Sequence, residues 1–306
     1  MNIAVGVDIG GTNLRVTVSD ESGDFLHTEK KKIEVSDEMG ISRNIVDMTR
    51  RSCEAIDVKV DEVKGIGIAS TGPLDVEKGI LIRPTNLPFG KVPLVEPVRK
   101  ELGIPTSLLN DCSAGVLGEK TFGAGKGCEN LVYINIGTGI GGGAIVDGNL
   151  LLGKDGNAAE IGHFTVDPKG KLICGCGKKG HWEAYCSGRN IPNFVELRSE
   201  ELISRYGEMS PEKFFKAVEE GDREAVSLME EISKLNAIGT ADVIDAYDPE
   251  LVTFGGTVVL ENEERIVNPI RGRIEDHIRN EKPEIIVTPL KDKVSLYGAI
   301  ARALEY

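Results

Sequence analysis

The sequence predicts an α/β protein of two lobes. Apolar, strand-like runs alternate with segments of helical spacing along the whole chain. A length of 306 residues suffices for about two domains at roughly 150 residues each, and either half can bury its own core. A strand, a glycine-rich turn and a second strand open the chain, and the same unit recurs near its middle. That repeat places a seam between the lobes near residues 112–120.

The elements follow in order. The apolar run Ile3 to Gly10 reads as a strand ending in glycines. Leu14 to Asp20 alternates strictly and pairs back on it as a hairpin, and Phe25 to Val35 makes a third antiparallel strand. Apolar spacing predicts a helix over 41–56, then a buried strand over Val63 to Ser70 and a turn-rich stretch holding Pro73, Pro84, Pro88 and Pro93. A helix over 97–103 ends at Gly103, a strand runs from Pro105 to Asp111, and a helix covers 113–123. The pattern restarts at Asn130 to Gly148 as strand, glycine turn, strand. Helices are expected over 211–219, 223–246 and 266–280, with short strands at Glu250 to Gly256 and Glu284 to Leu290. A closing helix spans Val294 to Leu304.

Composition narrows the function. The chain is 40% hydrophobic and 28% charged, as in ordinary globular proteins. A net charge of −13 argues against a nucleic-acid partner, and "EKKKIE" (Glu29 to Glu34) reads as a solvated strand end. An acidic protein can still bind a polyphosphate through backbone amides and Mg²⁺. No segment approaches the roughly 18 apolar residues of a membrane span, and the N-terminus lacks a signal-peptide pattern. The expectation is a cytoplasmic protein with reduced cysteines.

Four stretches carry chemistry. In "VDIGGTNLR" (Val7 to Arg15), Gly10 and Gly11 form a turn followed by the polar Thr12 and Asn13. The turn is either a plain hairpin or an anion cradle, with Asp8 placed to face a phosphate-bound Mg²⁺. In "IGTGIGGG" (Ile136 to Gly143), five glycines in eight residues surround Thr138 after an apolar strand. This is neither a Walker A loop nor a Rossmann fingerprint. Two similar glycine turns in two lobes are hard to explain as structure alone, and Gly255–Gly256 in "FGG" would let a nucleotide's ring and ribose approach closely.

In "LLNDCSAG" (Leu108 to Gly115), Asn110 and Asp111 sit where a strand gives way to a helix. Asp111 is either an N-cap or a carboxylate that takes a proton from a substrate hydroxyl. Last, His163, Cys174, Cys176 and His181 form H-x10-C-x-C-x4-H, a set that suits tetrahedral Zn²⁺ with every position filled by protein, or else a loop with free thiols. Two of the chain's four histidines fall in this cluster. Glu160 and Glu183 flank it, as sugar-hydroxyl acceptors or as plain surface carboxylates.

These stretches, with "EIGH" and "CGCGKKGHWE", resemble in residues and order the ROK family of sugar kinases and related transcriptional repressors. The resemblance covers nearly the whole chain. It implies an α/β, two-lobed, actin-like ATPase (ribonuclease H-like) fold of the hexokinase type, with an interlobe cleft. The N-terminal lobe would span 1–115, with the C-terminal helix 292–306 packing back on it. The C-terminal lobe, 116–291, would carry the zinc loop. The implied activity is ATP-dependent phosphorylation of a hexose at its 6-hydroxyl, with Asp111 as catalytic base. Asn86, Asn110, Asp111, Glu160, His163 and Glu183 would bind the sugar. Asp8, Gly10, Gly11, Thr12, Asn13, Gly137, Thr138, Gly139, Gly255 and Gly256 would hold ATP and Mg²⁺. His163, Cys174, Cys176 and His181 would hold a structural zinc, although the family usually has a third cysteine where His181 stands. "STGPLD" (Ser70 to Asp75) likewise replaces a more usual proline-glycine-proline turn, and Asn86 follows Thr85 rather than proline.

Glucose ranks first as acceptor, with N-acetylmannosamine or N-acetylglucosamine as alternatives. "AAEIGH" has Ala159 where glucose kinases of the family often have glycine, and a similar segment occurs in N-acetylmannosamine kinases. A non-catalytic sugar-sensing regulator ranks lower, because the "DIGGT" segment begins at Asp8 and leaves no room ahead for a helix-turn-helix. No membrane or nucleic-acid partner is expected. Relatives suggest a homo-oligomer, dimer or tetramer.

Overall fold

The structure is a computed structural model that describes residues 2–84 and 87–306, so Asn86 lies outside the described residues. The chain divides into two compact units. The first comprises Met1–Gly127, Asn149–Ala158 and Lys293–Tyr306, and the second comprises Cys128–Gly148 and Ala159–Asp292.

The first unit opens with β1 (Ile3–Ile9), β2 (Asn13–Ser19) and β3 (Phe25–Lys32), followed by α1 (Gly40–Glu54) and β4 (Val63–Ser70). The turn-rich stretch folds into a small antiparallel sheet of β5 (Leu74–Asp75), β6 (Ile80–Ile82) and β7 (Lys91–Pro93), which the sequence reading left without strands. Then come α2 (Val95–Leu102), β8 (Thr106–Asn110) and α3 (Asp111–Thr121). Gly103 caps α2 in the left-handed conformation, as its position past the helix end suggested. Helix α3 runs unbroken through the expected seam, so residues 116–127 stay in the first unit.

The main sheet has the order β3-β2-β1-β4-β8, with β1, β4 and β8 mutually parallel. Its inner strands β1 and β4 are buried on both faces, as expected of a covered parallel sheet. One face is covered by the closing helix, which bears directly on glycines. A Cβ on Gly67 would lie 1.9 Å from the Ala299 carbonyl oxygen, and one on Gly298 would lie 1.6 Å from that of Ala114. Glycine at these positions lets main chain pack on main chain.

The second unit contains β9 (Leu131–Ile136) and β10 (Ile140–Val146); the two-residue β11 (Asn149–Leu150) falls in the first. After the Cys/His region come α4 (Glu183–Cys186), α5 (Ile191–Arg198), α6 (Glu200–Tyr206), α7 (Pro211–Glu219) and α8 (Arg223–Tyr247). They are followed by β12 (Leu251–Gly255), α9 (Thr257–Glu261), α10 (Glu263–Arg273) and β13 (Glu284–Val287), and the chain closes with α11 (Val294–Leu304) in the first unit. Within this unit β10-β9-β12-β13 lie side by side, with β9, β12 and β13 parallel. Each unit thus builds an antiparallel hairpin onto parallel strands, which is the repeat seen in the sequence.

The expected helix over 266–280 is corrected: α10 starts at Glu263 and ends at Arg273. A 3-10 turn over Ile274–Asp276 follows, and the Asp245 carboxylate then accepts the N–H groups of Arg279 and Asn280, so these two do not continue the helix. Among the described residues no helix is long and apolar enough to cross a membrane.

Candidate active site and metal centre

In the first unit, the register aligns Ile9, Ser70 and Asn110 at the carboxyl ends of β1, β4 and β8. The carboxyl edge of an open parallel sheet is where such folds bind ligands. The turn after β1 begins at this edge, where the Gly10 N–H donates to the Asn13 carbonyl at 3.0 Å. The glycines here are not demanded by the fold itself. A Cβ on Gly10 would meet only the Asn13 oxygen, at 3.6 Å, and one on Gly11 would meet nothing within 4 Å. Room left beside a main-chain turn suits an incoming group that binds backbone N–H. Asp8 is joined across the hairpin to Arg15, whose Nε and terminal nitrogen both lie 2.9 Å from Asp8 Oδ2.

Strand β8 passes directly into α3. The cap is Asn110, whose Oδ1 accepts from the Cys112 N–H at 2.9 Å. Asp111 is the first helical residue, and its Oδ1 also accepts from Cys112 N–H at 2.9 Å. Of the two roles open to Asp111, the capping role is filled by its neighbour. The positive end of the helix favours an ionised carboxylate at this position.

In the second unit, the turn between β9 and β10 is closed by Gly137 N–H donating to Gly139 O at 2.9 Å. The segment after α4 lies along it, with the Gly188 and Arg189 N–H groups donating to the carbonyls of Gly137 (2.8 Å) and Thr138 (3.2 Å). Parallel pairing of β12 with β9 brings Gly255 opposite Asn135. Gly256 adopts φ +91°, and a Cβ there would lie 2.4 Å from the Ile136 oxygen, so glycine is required. A cavity of about 830 Å³ opens at this junction, with Gly137, Thr138 and Arg189 at the turn, Phe215, Lys216 and Arg265 on its wall, and the acidic Glu212, Glu219 and Glu261 around them. Main-chain turns, cationic side chains and an aromatic ring are what a nucleotide's phosphates and base need.

The Cys/His loop lies in the same unit. His163, Cys174, Cys176 and His181 bring two sulfurs and two ring nitrogens within 4.8 Å of one another. Cys174 Sγ is 3.6 Å from His163 Nδ1, and Cys176 Sγ is 3.3 Å from His181 Nδ1. Tetrahedral zinc with bonds of about 2.0–2.3 Å sets its ligand atoms at such separations, so the donors fit the ion. A tight turn shapes the loop, with Cys174 N–H donating to Lys178 O and Gly177 N–H to Cys174 O, both at 2.8 Å. Burial pushes the Cys174 thiol up to about 12. Burial, then the neighbouring His163, pulls His181 down.

Trp182 explains why this loop is held. It is fully buried, and its ring N–H donates to Asn236 Oδ1 of α8 at 2.8 Å. A Cβ on Gly239 of α8 would lie 2.4 Å from the indole. The buried ring fixes its two sequence neighbours, His181 and Glu183. The Glu183 carboxylate then accepts from Ile140 N–H at 3.0 Å through Oε2 and from the Cys174 thiol at 3.4 Å through Oε1. Glu160 is exposed, with its Oε2 3.7 Å from His163 Nε2. His163 therefore turns one ring nitrogen to the cysteines and the other to Glu160. Ala159, just before Glu160, is buried at φ +59°, a conformation in which glycine is unstrained.

A family model described as "ROK family" matches residues 4–305. The chain belongs to the ROK family. Among curated ROK relatives, the glucokinase of Pyrobaculum calidifontis is 35% identical over 301 residues, covering 98% of this chain and 95% of that protein. The ROK hexokinase from Thermus thermophilus superposes with a TM-score of 0.84 at 29% identity, covering 99% of this chain and 98% of that one. The ROK glucokinase from Streptomyces griseus, solved with glucose and AMPPNP, has a TM-score of 0.76 at 30% identity and covers 100% of both chains. The fold is accordingly the actin-like ATPase fold of the hexokinase type.

The candidates thus gather into groups. Asp8, Gly10, Gly11, Thr12, Asn13, Asn110 and Asp111 lie in the first unit, at or beside the carboxyl edge of its sheet. The remaining described candidates lie in the second unit, where Gly137, Thr138 and Gly139 adjoin Gly255 and Gly256, and Glu160 and Glu183 adjoin the Cys/His cluster. The sequence reading missed Arg15, Trp182, Gly188–Arg189 and the cavity wall from α7. Trp182 had a signal: it is the chain's one tryptophan and stands between two candidates. The α7 residues had none, because their role depends on where that helix packs.

Proposed function

We propose that this chain is a glucokinase: it transfers the γ-phosphoryl group of ATP to the 6-hydroxyl of glucose, with Asp111 as general base. The observation that carries the reading is the position of Asp111, at the start of α3 on the carboxyl edge of the sheet, with the capping role already taken by Asn110. The glucokinase relatives at 30–35% identity across the chain support it.

Phosphoryl transfer demands positioning and charge neutralisation rather than covalent catalysis. Asp111 orients the 6-hydroxyl and accepts its proton as the bond to phosphorus forms. Asn110, Glu160, His163 and Glu183, with Asn86, bind the remaining hydroxyls. The turn at Gly10–Asn13 and the turn at Gly137–Gly139 offer N–H groups to the phosphates, and Gly255–Gly256 lets the nucleoside come close. Mg²⁺ bound with ATP would offset the charge of its phosphates, and Asp8 before the β1 turn is the acidic group that would face it. A zinc ion held by His163, Cys174, Cys176 and His181 would have no open position, so its part is to brace the loop carrying Glu160, His163 and Glu183.

An ADP-release assay across hexoses and N-acetylhexosamines tests the reading. Glucose should give the highest kcat/KM. An N-acetylhexosamine turned over at least ten-fold better would overturn the substrate assignment, and no turnover of any sugar would overturn the kinase assignment.

A further inference from the structure

The segment His181–Arg189 joins two sites that the proposed function treats separately. It starts with a metal donor, His181, and continues through the buried Trp182 to Glu183. Glu183 Oε1 takes the Cys174 thiol at 3.4 Å, while Oε2 takes the Ile140 N–H of the glycine turn at 3.0 Å. After α4, the Gly188 and Arg189 N–H groups bind the Gly137 and Thr138 carbonyls of that same turn. Asn190 Nδ2 closes the segment on itself by donating to the Glu183 carbonyl at 3.1 Å. Gly137, Thr138, Gly188 and Arg189 all line the 830 Å³ cavity. The fit at Glu183 is tight, since a Cβ on Gly139 would lie 2.5 Å from Oε2.

We propose that Glu183 is a positioning residue linking the Cys/His cluster to the nucleotide cavity, so that metal occupancy sets nucleotide affinity as well as sugar affinity. The proposal rests on the nucleotide reading of that cavity. When the metal replaces the Cys174 proton, the Oε2 bond to Ile140 persists, so Glu183 still holds the turn while His181, two residues away, is fixed by the ion. Loss of the metal leaves the His181 ring without the ion's hold, tethered through Trp182, and loosens the segment that shapes the turn. Linkage makes the effect reciprocal: bound nucleotide must tighten metal binding by the same factor.

The test uses cobalt(II) as the metal probe and AMPPNP with Mg²⁺, without sugar, so that direct sugar contacts of Glu183 do not enter. Calorimetry on the cobalt-loaded and chelator-treated wild type should show AMPPNP bound about five-fold or more tightly by the loaded form, the lower end of ordinary coupling. AMPPNP should also shift the thiolate-to-cobalt absorption. Glu183→Ala should remove that spectral shift, and Glu183→Gln, which keeps an oxygen for the Ile140 N–H, should restore it. Gly139→Ala, which displaces the carboxylate from the turn side, should weaken cobalt binding although residue 139 is no ligand. Equal AMPPNP affinity in loaded and metal-free wild type overturns the proposal and leaves the nucleotide reading standing, as does a full spectral shift in Glu183→Ala. The cobalt spectra decide the matter even if the metal-free form unfolds. Failure of loaded wild type to bind AMPPNP overturns both.

Discussion

Replacing Asp111 by Asn separates catalysis from structure. The amide is isosteric and keeps an oxygen for the Cys112 N–H, which Asn110 also satisfies at 2.9 Å. What disappears is the charge and the capacity to take a proton. Removing a general base costs about 10²–10⁴ in rate, or roughly 3–5 kcal/mol of transition-state stabilisation. Stability should suffer far less. A carboxylate in the first turn of a helix contributes about 0.3–1 kcal/mol through the helix dipole. At about 2–4 °C per kcal/mol for a domain of this size, Tm should fall by less than about 4 °C. Steady-state kinetics, calorimetric glucose binding and a thermal melt on one preparation measure the three quantities. The expected result is a kcat at least about 100-fold lower, glucose affinity within about ten-fold of wild type, and a nearly unchanged Tm. A kcat within ten-fold of wild type would refute the base assignment. A collapse of Tm would show that Asp111 is needed for the helix and that Asn110 does not suffice as its cap.

Three further predictions follow from the packing. Gly298→Ala puts a Cβ 1.6 Å from the Ala114 oxygen, so α3 and α11 must separate; denaturant unfolding should show a loss of about 3 kcal/mol or more, and a loss under about 1 kcal/mol would mean that the helices slide apart freely. Ala159→Gly relieves a left-handed backbone at φ +59° and should leave stability unchanged or raise it by up to about 1 kcal/mol, whereas a fall of more than that would show that the buried methyl outweighs the strain. Burial opposes ionisation of Asp167, but the Tyr185 hydroxyl at 2.6 Å and the Lys171 and Lys169 N–H groups outweigh it and hold this carboxyl below its usual range. Its stabilisation is full above the unfolded value near 4 and fades as pH falls through the lowered folded value. Tyr185→Phe should therefore cost about 1 kcal/mol at neutral pH, with the gap to wild type narrowing in strong acid to the part owed to the lost Leu172 N–H bond; a gap that stays constant down to acid unfolding would exclude the Asp167 pairing as its cause.

Much of the chain could be read before folding was considered. Strict alternation located β2, apolar spacing located α1, and a glycine past the last apolar position located the end of α2. Each rests on neighbours within a few residues. The H-x10-C-x-C-x4-H spacing likewise singled out four side chains that come within 4.8 Å of one another. Elements whose signal depends on distant partners were missed. The β5–β7 sheet is made of strands of two or three residues, too short for a period to register, and the chain end of the expected 266–280 helix is held instead by Asp245, far away in sequence, which accepts the Arg279 and Asn280 N–H groups.

Sequence alone therefore determined the family, the α/β class, the repeated hairpin and the residues with chemistry to offer, because local pattern and residue type are properties of the chain itself. Only tertiary structure decided why each glycine is there. Gly10 and Gly11 border open space, Gly256 is forced by its φ of +91° and the Ile136 oxygen, and Gly139 faces the movable end of the Glu183 side chain. These glycines read alike in sequence, and the difference lies in what packs against them. The same holds for Asp111: its letter allowed a cap or a base, and the cap became Asn110 once β8 met α3. Glu183 likewise acquired two partners, Cys174 and Ile140, only when burial of Trp182 against α8 carried it between them.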